Sequence, residues 1–313
     1  DRNKPFSKVN ICKKLDLAIV ALGFICLRMT YLSLYSNRDA VNRKIVESPD
    51  MTTTKFLFQN PINSSSIDVA NSCIQCFQFT RKSNFIVFQA ILYMRFYREI
   101  APEESEGIDG GDSQVGTGLI IQMAYSLGLN REPDLLDVCN DEKINHLGRK
   151  MWAALIAADF EHCLAIGNPI SIHSKNYDVS QPILTDRNSS IKDVDMEAAV
   201  TELFSSEDPE RHLLQRLLGY VLDMRDGVQV NIITNDLHVL EKVMDTQFNV
   251  LQKHRLKDEI FQSKHTRSRV QKFLYTEKAR KFLKTKVAIT SFYYHLYLHY
   301  EKLMDTELSF FYL

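Results

Sequence analysis

The sequence has 313 residues, 45% hydrophobic and 25% charged, with 38 basic side chains against 39 acidic ones. That length can bury a substantial core in one large domain or two smaller ones, and the balanced charge supplies no whole-molecule field for nucleic acid. With only 11 Gly and 8 Pro, and with long periodic apolar segments, the chain reads as all-α rather than as a β-rich or α/β enzyme.

Residues 1–12 are polar and basic, and a first helix is predicted over 13–36. Its uncharged run, Leu17 to Leu27, is too short to span a bilayer, so it reads as a core helix. The first residue is Asp, so the chain is expected to be a fragment, and no signal sequence is visible in it. Residues 37–66 are mostly polar, with Pro49, Pro61 and Ser64-Ser-Ser66. Ser65 followed by Asp68 predicts a helix start, and helices are expected over about 66–80 and 82–98. Cys73-Ile-Gln-Cys76 has metal or redox spacing, but no second pair follows it, so it reads as two buried helical side chains. The six cysteines are scattered, which fits reduced intracellular thiols. Residues 101–114 form an acidic loop with three glycines. Asp109 and Asp112 could touch calcium, but the regular ligand ladder of a calcium-binding loop is missing, so a solvated loop is expected.

The most informative stretch is 115–184. Val115, Leu119, Ile120, Met123, Ala124 and Leu127 share one helix face. Gly128 then stops the periodicity and Leu129 follows, the pattern of a left-handed cap closed by a hydrophobic contact. A second helix is predicted from Asp141 or Glu142 to about Ile166, with Ile144, Leu147, Met151, Leu155, Ala158 and Cys163 facing inward. Trp152 is the only tryptophan and is expected where helices cross. Gly167 and Pro169 end that helix. Asp159 lies within Ala-Ala-Leu-Ile-Ala-Ala-Asp-Phe, so it is expected to be buried. It then needs donors, either backbone N–H groups of the loop after Pro169 or, less favourably, Arg149. A catalytic acid is the alternative, but no second carboxylate or nucleophile is patterned beside it.

Beyond this stretch, helices are predicted at about 190–205 and 207–228, with Asp236 capping a further one. Residues 253–286 form a basic block from Lys253 to Lys286, interrupted by Asp258, Glu259 and Glu277. It reads as a solvated face rather than a phosphate track. In the last helix His295 and His299 are spaced i, i+4. They could share a metal or haem, but they are expected on a seam among tyrosines.

The stretch 115–184 resembles the central regulatory domain, or middle homology region, of fungal zinc-cluster (Zn2Cys6) transcription factors. The resemblance rests on Ala124, Leu127-Gly128-Leu129, Arg149 with Trp152, Asp159, and Gly167 with Pro169. Asn130 stands where that family often carries His. The helix containing Gln89-Ala90 is also similar to the family's. The resemblance implies an irregular array of helical hairpins, α-solenoid-like, forming a single regulatory domain over 1–313. The zinc cluster that binds DNA, and an activation region, would lie outside this chain. Zinc is therefore expected in that absent DNA-binding domain and no cofactor in this fragment.

No phosphate-binding glycine loop, nucleophile elbow or metal quartet is present in the sequence, so an enzyme is not expected. The resemblance implies a nuclear protein that regulates RNA polymerase II transcription and senses a small molecule. The expected partners are an apolar effector, the transcription machinery or co-regulators, DNA only through the absent domain, and a second copy in a homodimer, with no membrane. No residue is assigned to ligand binding. The competing reading is a helical scaffold that binds protein partners without a ligand.

Overall fold

A computed structural model describes residues 10–34, 42–43, 52–78, 82–101, 113–136, 139–205, 209–255 and 266–313. Among them every regular element is a helix, as the composition and periodicity predict. The chain divides into two compact units, 1–131 and 132–313, so the boundary falls inside the 115–184 stretch. The acidic loop with Asp109 and Asp112 lies outside the described residues.

The first unit contains α1 (Asp16–Leu32), α2 (Thr52–Gln59), α3 (Ser65–Gln75), α4 (Phe85–Ile100) and α5 (Ser113–Ser126). Asp16 steadies the start of α1, its Oδ2 accepting from the N–H groups of Cys12 and Lys13, each at 2.8 Å. Asn84 caps α4 by accepting from Ile86 N–H at 3.0 Å. Ala21 and Ile25 of α1, Ile67, Ala70 and Ile74 of α3, and Ala90, Met94 and Tyr97 of α4 form the core of this unit. Helix α2 lies in a segment read as merely polar. The expected Ser65 cap is not formed: α3 starts at Ser65 without a side-chain cap, and Ser66 Oγ instead donates to the Asn63 carbonyl at 2.7 Å. Cys73 is half-buried and Cys76 exposed, which corrects the buried pair. Cys76 sits at the end of α3, past the turn that packs. Val115 is 85% exposed, since Ile120, Ile121, Met123 and Ala124 carry the buried face of α5.

The second unit contains α6 (Pro133–Leu136), α7 (Glu142–Ile166), α8 (Val194–Ser205), α9 (Pro209–Leu222), α10 (Val230–Arg255), α11 (Thr266–Lys302) and α12 (Thr306–Tyr312). Asp141 caps α7 by accepting from Lys143 N–H at 2.9 Å. Ile144 shares a face with the buried Met151 two turns on, yet it lies in the first turn of α7 and is exposed. Helix α9 stops at Leu222, short of 228, because Asp223 folds the chain into a turn that accepts from the N–H groups of Arg225 and Asp226, each at 3.0 Å. Asp236 does not cap a helix. It lies within α10 and accepts from Arg216 Nε at 2.7 Å. Phe160, Leu214, Leu217, Leu237, Leu240, Met244, Ala288 and Ile289 build the core, joining α7, α9, α10 and α11.

The basic block falls partly outside the described residues. Where it continues in α11, Arg280 pairs with Glu277 at 2.7 Å, Lys281 with Glu210 at 3.1 Å, and Lys284 with Glu161. His295 and His299 are exposed, not on a seam. The inward face of α11 here is carried by Phe292, Tyr293 and Leu296, and Tyr300 stacks on Tyr312 with ring centroids 5.6 Å apart.

Candidate functional site

The resemblance-bearing residues divide between the units. In the first, Ala124 is fully buried, Leu127 follows the last turn of α5, and Gly128 takes a φ of 70°. Leu129 N–H reaches back to the Ala124 carbonyl at 3.0 Å, and Gly128 N–H to that of Tyr125 at 3.0 Å. That is the left-handed termination a glycine permits. Arg149, Trp152, Asp159, Gly167 and Pro169 belong to the second unit. There they frame a strap, residues 168–193, which crosses the unit with no regular structure beyond the short 3-10 turn Ser174–Asn176.

Gly167 begins the strap. Its φ of 70° ends α7, and the N–H groups of Gly167 and Asn168 both return to the Cys163 carbonyl, at 2.9 and 3.1 Å. Pro169 follows. A strap without its own ladder leaves backbone N–H groups to satisfy, and three carboxylates meet many of them.

Asp159 is the first. Its side chain is buried in α7, and Oδ2 accepts from Ser171 N–H and Ile172 N–H, both at 2.9 Å. Cys163, one turn further on, approaches Oδ1 at 3.6 Å and the Pro169 carbonyl at 3.2 Å. Burial, and then the Asp159 charge, push the Cys163 thiol up to about 12.

Glu132 is the second. Its Oε2 accepts from Ser180 N–H at 2.7 Å, while its own N–H donates to Asp178 Oδ1 at 2.8 Å. Arg149 of α7 holds Glu132 from the other side, with Nε on Oε1 at 3.2 Å and Nη2 also bonded to Oε1. The same Nη2 reaches Asp134 Oδ2 at 2.7 Å. Burial drives the Glu132 pKa upward, but the Arg149 and Ser180 donors outweigh it and hold the carboxyl at about 2. Arg149 therefore pairs with Glu132 and Asp134 rather than with Asp159.

Glu197, in the first turn of α8, is the third. It receives Lys150 Nζ of α7 at 2.8 Å, Ser189 Oγ at 2.8 Å, Ser190 Oγ at 2.9 Å, Ser190 N–H at 3.0 Å and Ile191 N–H at 3.3 Å. Burial again raises its pKa and these donors overcome that, leaving it at about 2. Trp152 is buried on α7, its ring edge-on to Tyr177 of the strap with centroids 5.7 Å apart. His146 is buried on the same helix. Burial, followed by the nearby Lys150 charge, lowers its pKa.

This arrangement positions backbone and has no group set up for proton or acyl transfer. Glu132 and Glu197 are ionised far below neutrality and saturated with donors, so neither is a general acid near pH 7. Cys163 is held as a thiol and lacks the thiolate a nucleophile needs. Among the described residues no group of three or more His, Cys, Asp or Glu could hold a metal ion. No helix among them is long and apolar enough to cross a membrane.

Sequence reasoning found Asp159, Trp152 and both glycines but missed Glu132, Lys150, Asp178 and Glu197. Glu132 precedes Pro133 and reads as punctuation, and Glu197 reads as an ordinary acid in a first helical turn. Glu132 meets Asp178 and Ser180 46 and 48 residues away and Glu197 meets Lys150 47 residues away, separations that no local pattern encodes, whereas Ser189, Ser190 and Ile191 lie only 6 to 8 residues before Glu197.

Over its whole length the chain is similar to multidrug resistance regulator 1 of Candida albicans, at 32% identity over 318 aligned residues, covering 100% of this chain and 28% of the relative. Multidrug resistance regulator 2 of the same organism is 24% identical over 185 residues, 59% of this chain and 24% of that relative. The chain thus spans about a quarter of the length of the curated relatives it matches. No family model matches it, and no solved structure matches it significantly.

Proposed function

We propose that this chain is the regulatory part of a fungal transcription factor that controls RNA polymerase II transcription and responds to an apolar small molecule. The observation that carries this reading is the similarity of the entire chain to a multidrug resistance regulator. The resemblance of 115–184 to the middle homology region points the same way. On this reading the protein acts in the nucleus and reaches DNA through a zinc cluster elsewhere in the full-length factor. It passes its state to co-regulators or the transcription machinery, alone or as a homodimer, and it is a regulator rather than an enzyme.

The geometry supplies a physical basis for such control. The strap is seated on a few side chains; on this reading it exchanges with a released state, and an effector favours whichever state it binds better. Its differential affinity sets the size of the response.

The test joins this chain to an unrelated DNA-binding domain and activation region in yeast and reads a reporter. The expected result is low basal output that rises with apolar drugs, matched by drug-dependent thermal stabilisation of the purified chain. Output equal to that of the fusion lacking this chain, unchanged by any drug, contradicts regulation. Low output without a drug response or thermal shift replaces the effector with a protein partner and favours the scaffold reading.

A further inference from the structure

We infer that Ser190 is a phosphorylation site for an arginine-directed protein kinase, and that its modification unseats the C-terminal end of the strap from Glu197. The inference stands on the geometry of the strap and does not depend on the proposed function.

Three observations converge on this serine. Asp186-Arg187-Asn188-Ser189-Ser190 contains the single Arg-x-x-Ser or Arg-x-x-Thr in the 313-residue sequence. Kinases with acidic substrate clefts discriminate by such charge placement. The motif lies in irregular backbone rather than within a helix, and Ser190 is exposed. The arginine is also presented outward. Asn188 is buried, accepting from Thr185 N–H at 2.8 Å and donating to the Ile183 carbonyl at 2.8 Å. The turn it closes leaves the Arg187 side chain 84% exposed, with Glu142 only at 3.7 Å.

The third observation is what Ser190 holds. Its hydroxyl donates to Glu197 Oε1 at 2.9 Å and its N–H donates to Oε2 at 3.0 Å. In the reaction Ser190 Oγ attacks the γ-phosphorus of a nucleoside triphosphate bound by the kinase. The Oγ–P bond forms, the bond to the departing nucleoside diphosphate breaks, and the hydroxyl proton is released. The product has lost its hydroxyl donor and carries a charge of about −1.5 to −2. It would face a buried carboxylate that is already ionised. Like-charge repulsion expels residues 189–191 from Glu197, which retains Lys150 as its partner. Asp159 and Glu132 keep their own parts of the strap, so the release is local.

The test incubates the purified 313-residue chain with the catalytic subunit of an arginine-directed serine/threonine kinase and ATP, then maps the product by mass spectrometry. One phosphate, a gain of about 80 Da, is expected on Ser190. It should be lost in Arg187→Ala and in Ser190→Ala, while both variants keep the circular dichroism of the parent. Amide exchange at Ser190 and Ile191 should then accelerate at least about tenfold, with Ser171 and Ile172 unchanged. Phosphate only on Ser189 or elsewhere, or labelling of Ser190 that survives Arg187→Ala, overturns the site. Phosphate on Ser190 with unchanged or slower exchange at 190–191 overturns the release.

Discussion

In the first unit α1, α3 and α4 meet through small side chains: Ala21, Ala70 and Ala90 are fully buried together with Ile25 and Tyr97. In the second unit an apolar core of leucines is accompanied by carboxylates that hold an irregular strap. The core of the first is governed by volume, its buried members carrying no carboxylate. The second depends on charge, because the amides of Ser171, Ile172, Ser180, Ser190 and Ile191 are satisfied by carboxylates that lose that function when protonated or removed. The two helical units are therefore expected to fail under different conditions. Trp152, the only tryptophan, reports on the second unit alone, so its fluorescence separates the two transitions.

The largest effect is expected from Glu197→Ala. It leaves Lys150 without its carboxylate and strips the acceptor from Ser189, Ser190 and Ile191. Breaking such a pair costs about 3–5 kcal/mol, seen as a lower denaturant midpoint for Trp152 fluorescence. A midpoint within error of the parent would mean that the second unit does not depend on charge.

Acid should reproduce that effect without mutation. The carboxyls of Glu132 and Glu197 lie at about 2 in the folded chain against an ordinary 4.5. Depressed folded values mean that their contribution is fully present above pH 4.5 and is lost as pH falls through 2. The Trp152 signal should destabilise across that window, ahead of the helical signal of the first unit. Simultaneous loss of both would merge the two behaviours.

The converse perturbation is Ala21→Leu. A larger side chain at a fully buried alanine between α1 and α3 forces them apart at about 1–3 kcal/mol. Total helicity should fall at lower denaturant while the Trp152 midpoint stays in place.

Asp159→Ala leaves the Ser171 and Ile172 amides without an acceptor and should cost about 1–3 kcal/mol. Asp159→Asn should cost less, because one oxygen remains. Equal midpoints for Asp159→Ala and the parent would mean that the strap is not held there. The smallest effect is Gly167→Ala. A side chain at a φ of 70° costs about 1 kcal/mol, read as a small shift in the same midpoint.

Much of the fold was legible because helices are written in local terms. Asp141, Gly128 and Gly167 mark ends by capping chemistry, and the bounds of α7 follow from them. Where a face had to be chosen, local reading was weaker: Val115 and Ile144 fit the periodicity yet are exposed. Asp236 looked like a cap because a short polar residue before an apolar run has that chemistry, but a distant Arg216 claimed it. Burial of Asp159 could be read because an isolated carboxylate in an apolar run demands donors. Glu132 and Glu197 could not be recognised, because each lies in a polar context where an exposed acid is unremarkable in sequence. Asp178 and Ser180 reach Glu132, and Lys150 reaches Glu197, only in the folded chain.

The seating of the strap by Glu132 and by side chains of α7 and α8 is tested most directly by amide hydrogen exchange on the parent, Asp159→Ala and Glu197→Ala at neutral pH. The amides of Ser171, Ile172, Ser180, Ser190 and Ile191 should be protected in the parent. Protection should disappear at 171–172 in the first variant and at 190–191 in the second, with the α1 and α4 amides unchanged in both. Free exchange at these five amides in the parent, or their uniform protection in all three proteins, would contradict it.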